Sequence, residues 1–201
     1  KTVDMEKEFQ YWKDYLSGFG EETRLPGYTP SNLDYELNLY FQPFREETVK
    51  NLRGMQSSCK ATFATIVQTV WAILLTKLSG NQDVLFGLVT AGRDSDVTNS
   101  MKISGGFINT LLLRSHLMPD TAFHTAVRVL QEDGRLAAEH SHCSPDELRD
   151  RMQRGSAWTN QILNFHNYGG RPKPGSLGNE FGAARRCLPA VGSSLWTRGR
   201  A

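Results

Sequence analysis

Cysteine is scarce in this 201-residue chain: Cys59, Cys143 and Cys187 stand far apart and form no CxxC pair. That gives no basis for a disulfide framework or a cysteine metal site, and a reducing cytoplasm is the expected setting. Charge of one sign is scarce too. The net charge of +2 is too small to argue for nucleic acid or a membrane surface as partner. The longest apolar stretch, residues 63–78, is broken by Gln68 and falls short of the roughly 20 residues a membrane span needs. Phosphate-binding glycine loops, a G-x-G-x-x-G turn, a G-x-S-x-G elbow and internal repeats are all missing. Lys1 is preceded by no Met and followed by no apolar leader, so we expect no signal peptide and a piece of a longer polypeptide.

What is present has the periodicity of a folded α/β chain. Met5, Phe9, Trp12, Leu16 and Phe19 recur at spacings of four and three, an amphipathic helix that ends near Gly18 and Gly20. Residues 21–34, with Pro26, Gly27 and Pro30, are expected to be loop. Alternation over Tyr35–Phe41 predicts a half-exposed strand. A helix after Pro43 should turn Val49, Leu52 and Met55 inward. Thr62 is the expected N-cap of a longer helix and Ser79-Gly80-Asn81 its stop. Because apolar residues occupy nearly every face of that helix, we expect it to be covered on most sides.

The run Val84–Val89 predicts a strand buried on both faces. Residues 91–100 are expected to form a polar crossing loop. A further helix should be capped by Asp120 or Thr121, with Phe123, Val127, Leu130, Gly134 and Ala137 on one face. Gly134 implies close packing or a break. Ser144-Pro145-Asp146-Glu147 is a capping box with proline at the first helical position, and residues 160–168 should form a last strand. Residues 171–201 carry six cations against Glu180 alone, a local +5 that leaves the first 170 residues at −3. From Gly169 onward apolar residues lose their period, and disorder is expected.

The stretch Ile103 to Arg114 is the centre of the chain. Gly105 and Gly106 open into Phe107-Ile108-Asn109-Thr110-Leu111-Leu112-Leu113, which predicts a buried strand. Asn109 shares a face with Phe107, Leu111 and Leu113, and a buried amide must find partners. It either braces a neighbouring backbone or offers a polar contact; both stay open. Arg114 is expected to end the strand as the chain returns to water.

Residue chemistry alone gives no catalytic centre. His140, His142 and Cys143 stand together, but no second cluster closes a metal site and no orienting Asn or Asp marks a Cys–His nucleophile. His166, between Asn164 and Asn167, reads as a satisfied core histidine.

Several segments, in order, resemble condensation domains of non-ribosomal peptide synthetases. Tyr11-Trp12-Lys13-Asp14-Tyr15-Leu16-Ser17-Gly18 is similar to the family's Y-W-x-x-x-L-x-G. Thr62 through Trp71-Ala72-Ile73-Leu74-Leu75 resembles its T…W-A-x-L-L helix. Asp83-Val84-Leu85-Phe86-Gly87, continuing to Gly92-Arg93, is similar to D-V-x-x-G-x-x-x-x-G-R. Gly106-Phe107-Ile108-Asn109-Thr110 to Arg114 matches G-x-F-[VI]-N-T-x-x-x-R. Glu139 to Glu147 is a degraded H-Q-x-x-P-x-E region, and Gln161 to Tyr168 fits the family's L-x-N-[FY] strand.

The resemblance implies residues 1–168 as the C-terminal lobe of a chloramphenicol acetyltransferase-like, two-lobed α/β fold (an α+β sandwich) with a mixed sheet and packed helices. Residues 169–201 would be a Gly/Arg/Pro-rich tail. It implies amide formation between carrier-tethered substrates in a tunnel between the lobes, walled here by Gly106, Phe107, Asn109 and Thr110. Implied partners are the missing N-terminal lobe, peptidyl or acyl carrier proteins and an adjacent adenylation domain, with neither nucleic acid nor membrane. Substrates would arrive on phosphopantetheine, with no cofactor or metal bound by the chain itself. The family's H-H-x-x-x-D-G motif is absent from these 201 residues, so no catalytic residue is assigned and the chain is expected to be inactive alone. Epimerisation, cyclisation or other acyltransferase domains on the same fold, and a non-catalytic carrier-docking remnant, remain alternatives.

Overall fold

The computed structural model describes residues 3–20, 22–26, 42–90 and 109–165. The expected Tyr35–Phe41 strand, the 91–100 loop, His166, Cys187 and the 169–201 tail lie outside them, as does most of the 21–34 loop. The elements are α1 (Met5–Tyr15), α2 (Glu46–Cys59), α3 (Phe63–Ser79), β1 (Asp83–Thr90), β2 (Asn109–His116), α4 (Phe123–Glu139), α5 (Pro145–Arg151) and β3 (Ile162–Asn164).

β1 is the middle strand of a mixed sheet ordered β2-β1-β3. It pairs antiparallel with β2, from Asp83 opposite His116 to Thr90 opposite Asn109. With β3 it pairs in parallel, from Gly87 opposite Ile162 to Val89 opposite Asn164. A middle strand has no wet edge, and its side chains alternate between two covered faces, hence the unbroken apolar run. Val84, Leu85 and Phe86 have no exposed surface. Their burial stabilises the fold by about 1.5–3 kcal/mol each.

One face of the sheet presents Leu85 and Leu112 to Trp12, Leu16, Phe19, Leu148 and Trp158. The other presents Val84, Phe86 and Leu113 to Ala72, Leu75 and Leu130. Helices α1 and α5 thus cover one side, and α3 and α4 the other. Mixed sheet and packed helices on both faces agree with the expected fold class.

Local signals explain most boundaries. Asp4 caps α1 by accepting from Glu6 N and Lys7 N, and Gly18, at φ +72°, turns the chain so that Phe19 still reaches the core. Thr62 caps α3 through Thr65 N, and Gly80, at φ +75°, ends it. Ser144 Oγ accepts from Glu147 N at 3.1 Å, as the capping box requires. The N–H of Leu85, upstream of the β3 pairing, is taken by Thr23 Oγ1 at 2.7 Å, so β1 leaves no orphan donor there.

Several expectations need correction or sharpening. Helix α4 starts from Ala122, which has no capping side chain; Thr121 Oγ1 instead accepts from Met118 N within the preceding turn. Arg114 does not return to water but sits inside β2, held by Asp83, Tyr15 and Ser17. Helix α3 is covered on most sides, as expected, and leaves one stripe open: Val70, Leu74 and Leu78, at i, i+4 and i+8, are 43%, 42% and 45% exposed. On α2, Met55 is exposed and no residue is fully buried. Within 160–165, the described part of the expected last strand, the pairing covers Ile162–Asn164, and residues 166–168 lie outside the described residues.

Gly134 neither breaks α4 nor allows close packing, since a methyl group there would meet nothing within 4 Å. Gly134→Ala should therefore raise unfolding stability by about 1 kcal/mol, read from denaturant midpoints of the two proteins.

Candidate functional site

Of the four residues assigned to a substrate channel, Gly106 and Phe107 lie outside the described residues. Asn109 and Thr110 open β2 opposite Thr90 and Val89. Both are half-buried. The Asn109 side chain donates from Nδ2 to the Ser141 carbonyl, and its Oδ1 accepts from Thr110 N at 2.8 Å. Both ends of the amide are thus engaged within the chain, tying β2 to the turn between α4 and α5.

Next to them, β1 comes very close to its neighbours at Gly87. A Cβ on Gly87 would stand 2.9 Å from Thr110 Cγ2, 3.3 Å from Ile162 Cγ1 and 3.5 Å from Gln161 O. Gly87 N also donates to Gln161 O at 2.8 Å, seating β3 on β1. The glycine of the D-V-x-x-G segment is therefore needed for packing across all three strands.

At the far end of the same two strands, the first residue of D-V-x-x-G meets the last of the Asn109 motif. Arg114 Nε donates to Asp83 Oδ1 at 2.9 Å and Nη2 to Oδ2 at 2.7 Å, a bidentate pair. Nη1 donates to the carbonyls of Tyr15 and Ser17 at 2.9 and 2.8 Å, and the backbone N of Arg114 donates to the Tyr15 hydroxyl at 2.8 Å. The Asp83 carboxylate holds the guanidinium above its ordinary pKa, and burial pushes the Tyr15 hydroxyl up as well. A shallow, open depression lined by Phe19, Gly20, Gly80, Asn81, Gln82, Asp83 and His116 lies at this end, away from Asn109.

Beside Asn109 lies a polar group that sequence reasoning did not assemble. Glu8 on α1 is buried; its Oε1 stands 3.1 Å from His140 Nδ1 and its Oε2 3.5 Å from His142 Nδ1. The Tyr11 ring stacks on His140 at 3.9 Å, and Trp12 Nε1 donates to the His140 carbonyl at 2.8 Å. Burial, reinforced by Asp133 and Glu139, pushes the Tyr11 hydroxyl up to about 12. One signal could have pointed here: a carboxylate four residues before Trp12, on the stripe that α1 buries.

His140 Nδ1 is within hydrogen-bonding distance of Glu8 Oε1, whereas His142 Nδ1, at 3.5 Å, leaves Glu8 Oε2 without a hydrogen-bond partner among the described residues. Cys143 is 1% exposed, and burial, with Glu147 and Glu8 nearby, pushes its thiol up, so it has the character of a core residue and not of a nucleophile. Among the described residues no group of three or more His, Cys, Asp or Glu side chains could hold a metal ion, and no single helix is long and apolar enough to cross a membrane.

Replacing Gly87 with Ala should cost about 1–3 kcal/mol through the clash with the Thr110 methyl. Thr110→Ser removes that methyl and should restore part of the loss in the double variant, measured by urea unfolding; equal losses in the single and double variants would put the strain elsewhere.

Comparison with known proteins agrees with this architecture. The family described as Condensation domain matches residues 1–183. Bacitracin synthase 3 of Bacillus licheniformis is 27% identical over 202 residues, covering 96% of this chain and 3% of that protein. Gramicidin S synthase 2 of Brevibacillus brevis is 26% identical over 167 residues, 82% of this chain and 4% of that one. The chain thus spans a few per cent of the length of these relatives. Among solved structures, the first condensation domain of the CDA synthetase superposes with a TM-score of 0.73 at 22% identity, over 90% of this chain and 39% of that one. The X-domain from teicoplanin biosynthesis superposes with a TM-score of 0.70 at 20% identity, over 81% and 37%. In sequence and in fold, this chain is part of a condensation domain of the non-ribosomal peptide synthetase family.

Proposed function

We propose that residues 1–168 supply the C-terminal lobe of a peptide-forming condensation domain, working in the cytoplasm with an N-terminal lobe that carries the H-H-x-x-x-D-G motif. Residues 169–201 stand outside that lobe as a tail. The substrates are a donor acyl or peptidyl thioester and an acceptor aminoacyl thioester, each on the phosphopantetheine arm of a carrier protein, with an adenylation domain loading the acceptor.

In the reaction the acceptor amine attacks the donor carbonyl, the new C–N bond forms, the C–S bond breaks and the donor carrier's thiol leaves. One proton must be taken from the attacking nitrogen, and a developing oxyanion must be held. The contribution of this chain is the channel wall. Asn109 and Thr110 stand beside the Gly87 close approach of β1, β2 and β3, and by the family resemblance Gly106 and Phe107 belong to the same wall. The observation that carries this reading is the placement of Asn109: half-buried at the mouth of β2, braced on the Ser141 carbonyl and flanked by the Gly87 close approach.

The test reconstitutes the 201-residue chain with a separately expressed N-terminal lobe bearing H-H-x-x-x-D-G and with loaded aminoacyl and peptidyl carrier proteins. Mass spectrometry of the carrier-bound product should show the new amide only when both lobes are present. Asn109→Ala should slow its formation roughly tenfold or more, equivalent to about 1.4 kcal/mol of lost positioning. Amide formation by this chain alone would refute the assignment of the proton-handling group to the other lobe.

A further inference from the structure

Helix α4 ends at His140, whose own N–H closes the last turn on the Leu136 carbonyl at 3.2 Å. Carbonyls at a helix end have no helical N–H to accept from and must find donors elsewhere. Two successive ones find them far away in the chain. The His140 carbonyl takes the indole Nε1–H of Trp12 at 2.8 Å, and the Ser141 carbonyl takes the Asn109 side-chain amide. The turn after α4 thus stands between α1 and the start of β2, with one hydrogen bond to each.

The two sides of this link differ in stiffness. Trp12 is 1% exposed and belongs to the core cluster that includes Leu16, Leu85 and Leu112. Its ring meets those of Tyr11 and Tyr15 edge-on, with centroids 5.2 and 5.7 Å apart. A buried ring held in close packing is a fixed donor. Asn109 is only half-buried, at the opposite end of the strand pair from the Asp83–Arg114 pairing. Its amide has backbone partners of one kind each: Nδ2 faces the Ser141 carbonyl, and Oδ1 faces the Thr110 N–H at 2.8 Å. Where the Ser141 carbonyl stands therefore decides where the Asn109 amide stands.

We propose that Trp12 is a positioning residue for Asn109, acting through the successive carbonyls of His140 and Ser141. The indole fixes the turn, and the turn fixes the amide. Consecutive peptide planes are hinged at one Cα, so a plane released at the His140 carbonyl lets the next one swing. Loss of the indole donor also leaves the His140 carbonyl unpaired, which favours a rearranged turn. Trp158, in the same cluster, donates its own indole N–H to the Pro145 carbonyl at 3.2 Å and makes no such link to Asn109. The bearing on amide formation rests on the reading of Asn109 as part of the channel wall; the link itself does not.

The test compares the full 201-residue chain with two chains altered at position 12. One is Trp12→Phe; the other carries benzothienylalanine, which keeps the bicyclic shape and puts sulfur where the N–H was. Trp158→Phe is the control. In proton–nitrogen correlation spectra the Asn109 side-chain amide signals should move in both position-12 chains and stay in place in Trp158→Phe. Unmoved Asn109 signals in the benzothienylalanine chain overturn the proposal, even if Trp12→Phe fails to fold. A comparable movement in Trp158→Phe also overturns it, since that marks a general loosening of the core. With the N-terminal lobe and loaded carrier proteins, a position-12 change should lower kcat for amide formation about three- to tenfold and leave KM for the carriers unchanged. In the Asn109→Ala background the same change should cost nothing further; losses that multiply in the double variant overturn action through Asn109. The spectra require no amide formation, so failure here and failure of the carrier-protein reconstitution are separately visible.

Discussion

Arg114 is the side chain on which the described structure depends most. Its side chain is only 18% exposed, and the guanidinium donates to a carboxylate from β1 in a bidentate pair and to two backbone carbonyls from the end of α1. Those carbonyls belong to Tyr15 and Ser17, in the last turn of α1 and just beyond it, where a helix leaves its final acceptors unused. A planar, permanently charged fork suits all three partners at once; a lysine would bring one point charge and lose the bidentate geometry. Phe19, whose ring lies 5.5 Å from the guanidinium carbon, covers the group from the side. Removing Asp83 would leave a half-buried cation without its counter-charge, which is why the pair constrains the fold more than a surface ion pair does.

That one residue connects three segments far apart in the chain. Because Asp83 starts β1 and Arg114 lies near the end of β2, their pairing fixes the antiparallel register, and a slip of one residue would turn every core leucine of β2 outward. With the register fixed at this end, Asn109 and Thr110 arrive opposite Thr90 and Val89 at the other, next to the glycine that admits β3. The α1 end is held by Arg114, and its middle by Trp12 and Glu8 against the turn after α4. The two ends of the strand pair thus serve different purposes: Arg114 sets the frame, and Asn109 stands where the frame presents a polar edge.

Much of this was legible in the residues. The apolar stripe of α1, the caps at Thr62 and Ser144 and the stop at Gly80 follow from local chemistry that acts within a few residues. The continuous run Val84–Val89 announced a strand with no wet edge. The ordered motifs then identified the family, although no single one of them would have done so. What stayed hidden depends on contacts across long stretches of chain. Arg114 looked like a strand end because a charge after three leucines usually marks solvent; only the approach of Asp83, 31 residues earlier, and of α1, about 100 residues earlier, gives it a buried home. Glu8 and His140 are 132 residues apart, and nothing local to either names the other. The exposed Val70–Leu74–Leu78 stripe could not be told from a buried one, because composition shows how apolar a face is and not what lies against it. Asn109 divides the same way: the need for partners was readable, and the identity of Ser141 as one of them was not.

A double-mutant cycle on the Asp83–Arg114 pair tests the central claim most directly. Urea unfolding of the full chain, of Asp83→Asn, of Arg114→Gln and of the double variant gives the coupling free energy of the pair. The arrangement described here predicts a coupling on the order of 1–3 kcal/mol, with each single variant nearly as unstable as the double. A coupling within about 0.3 kcal/mol of zero, the range in which independent sites simply add, would contradict it.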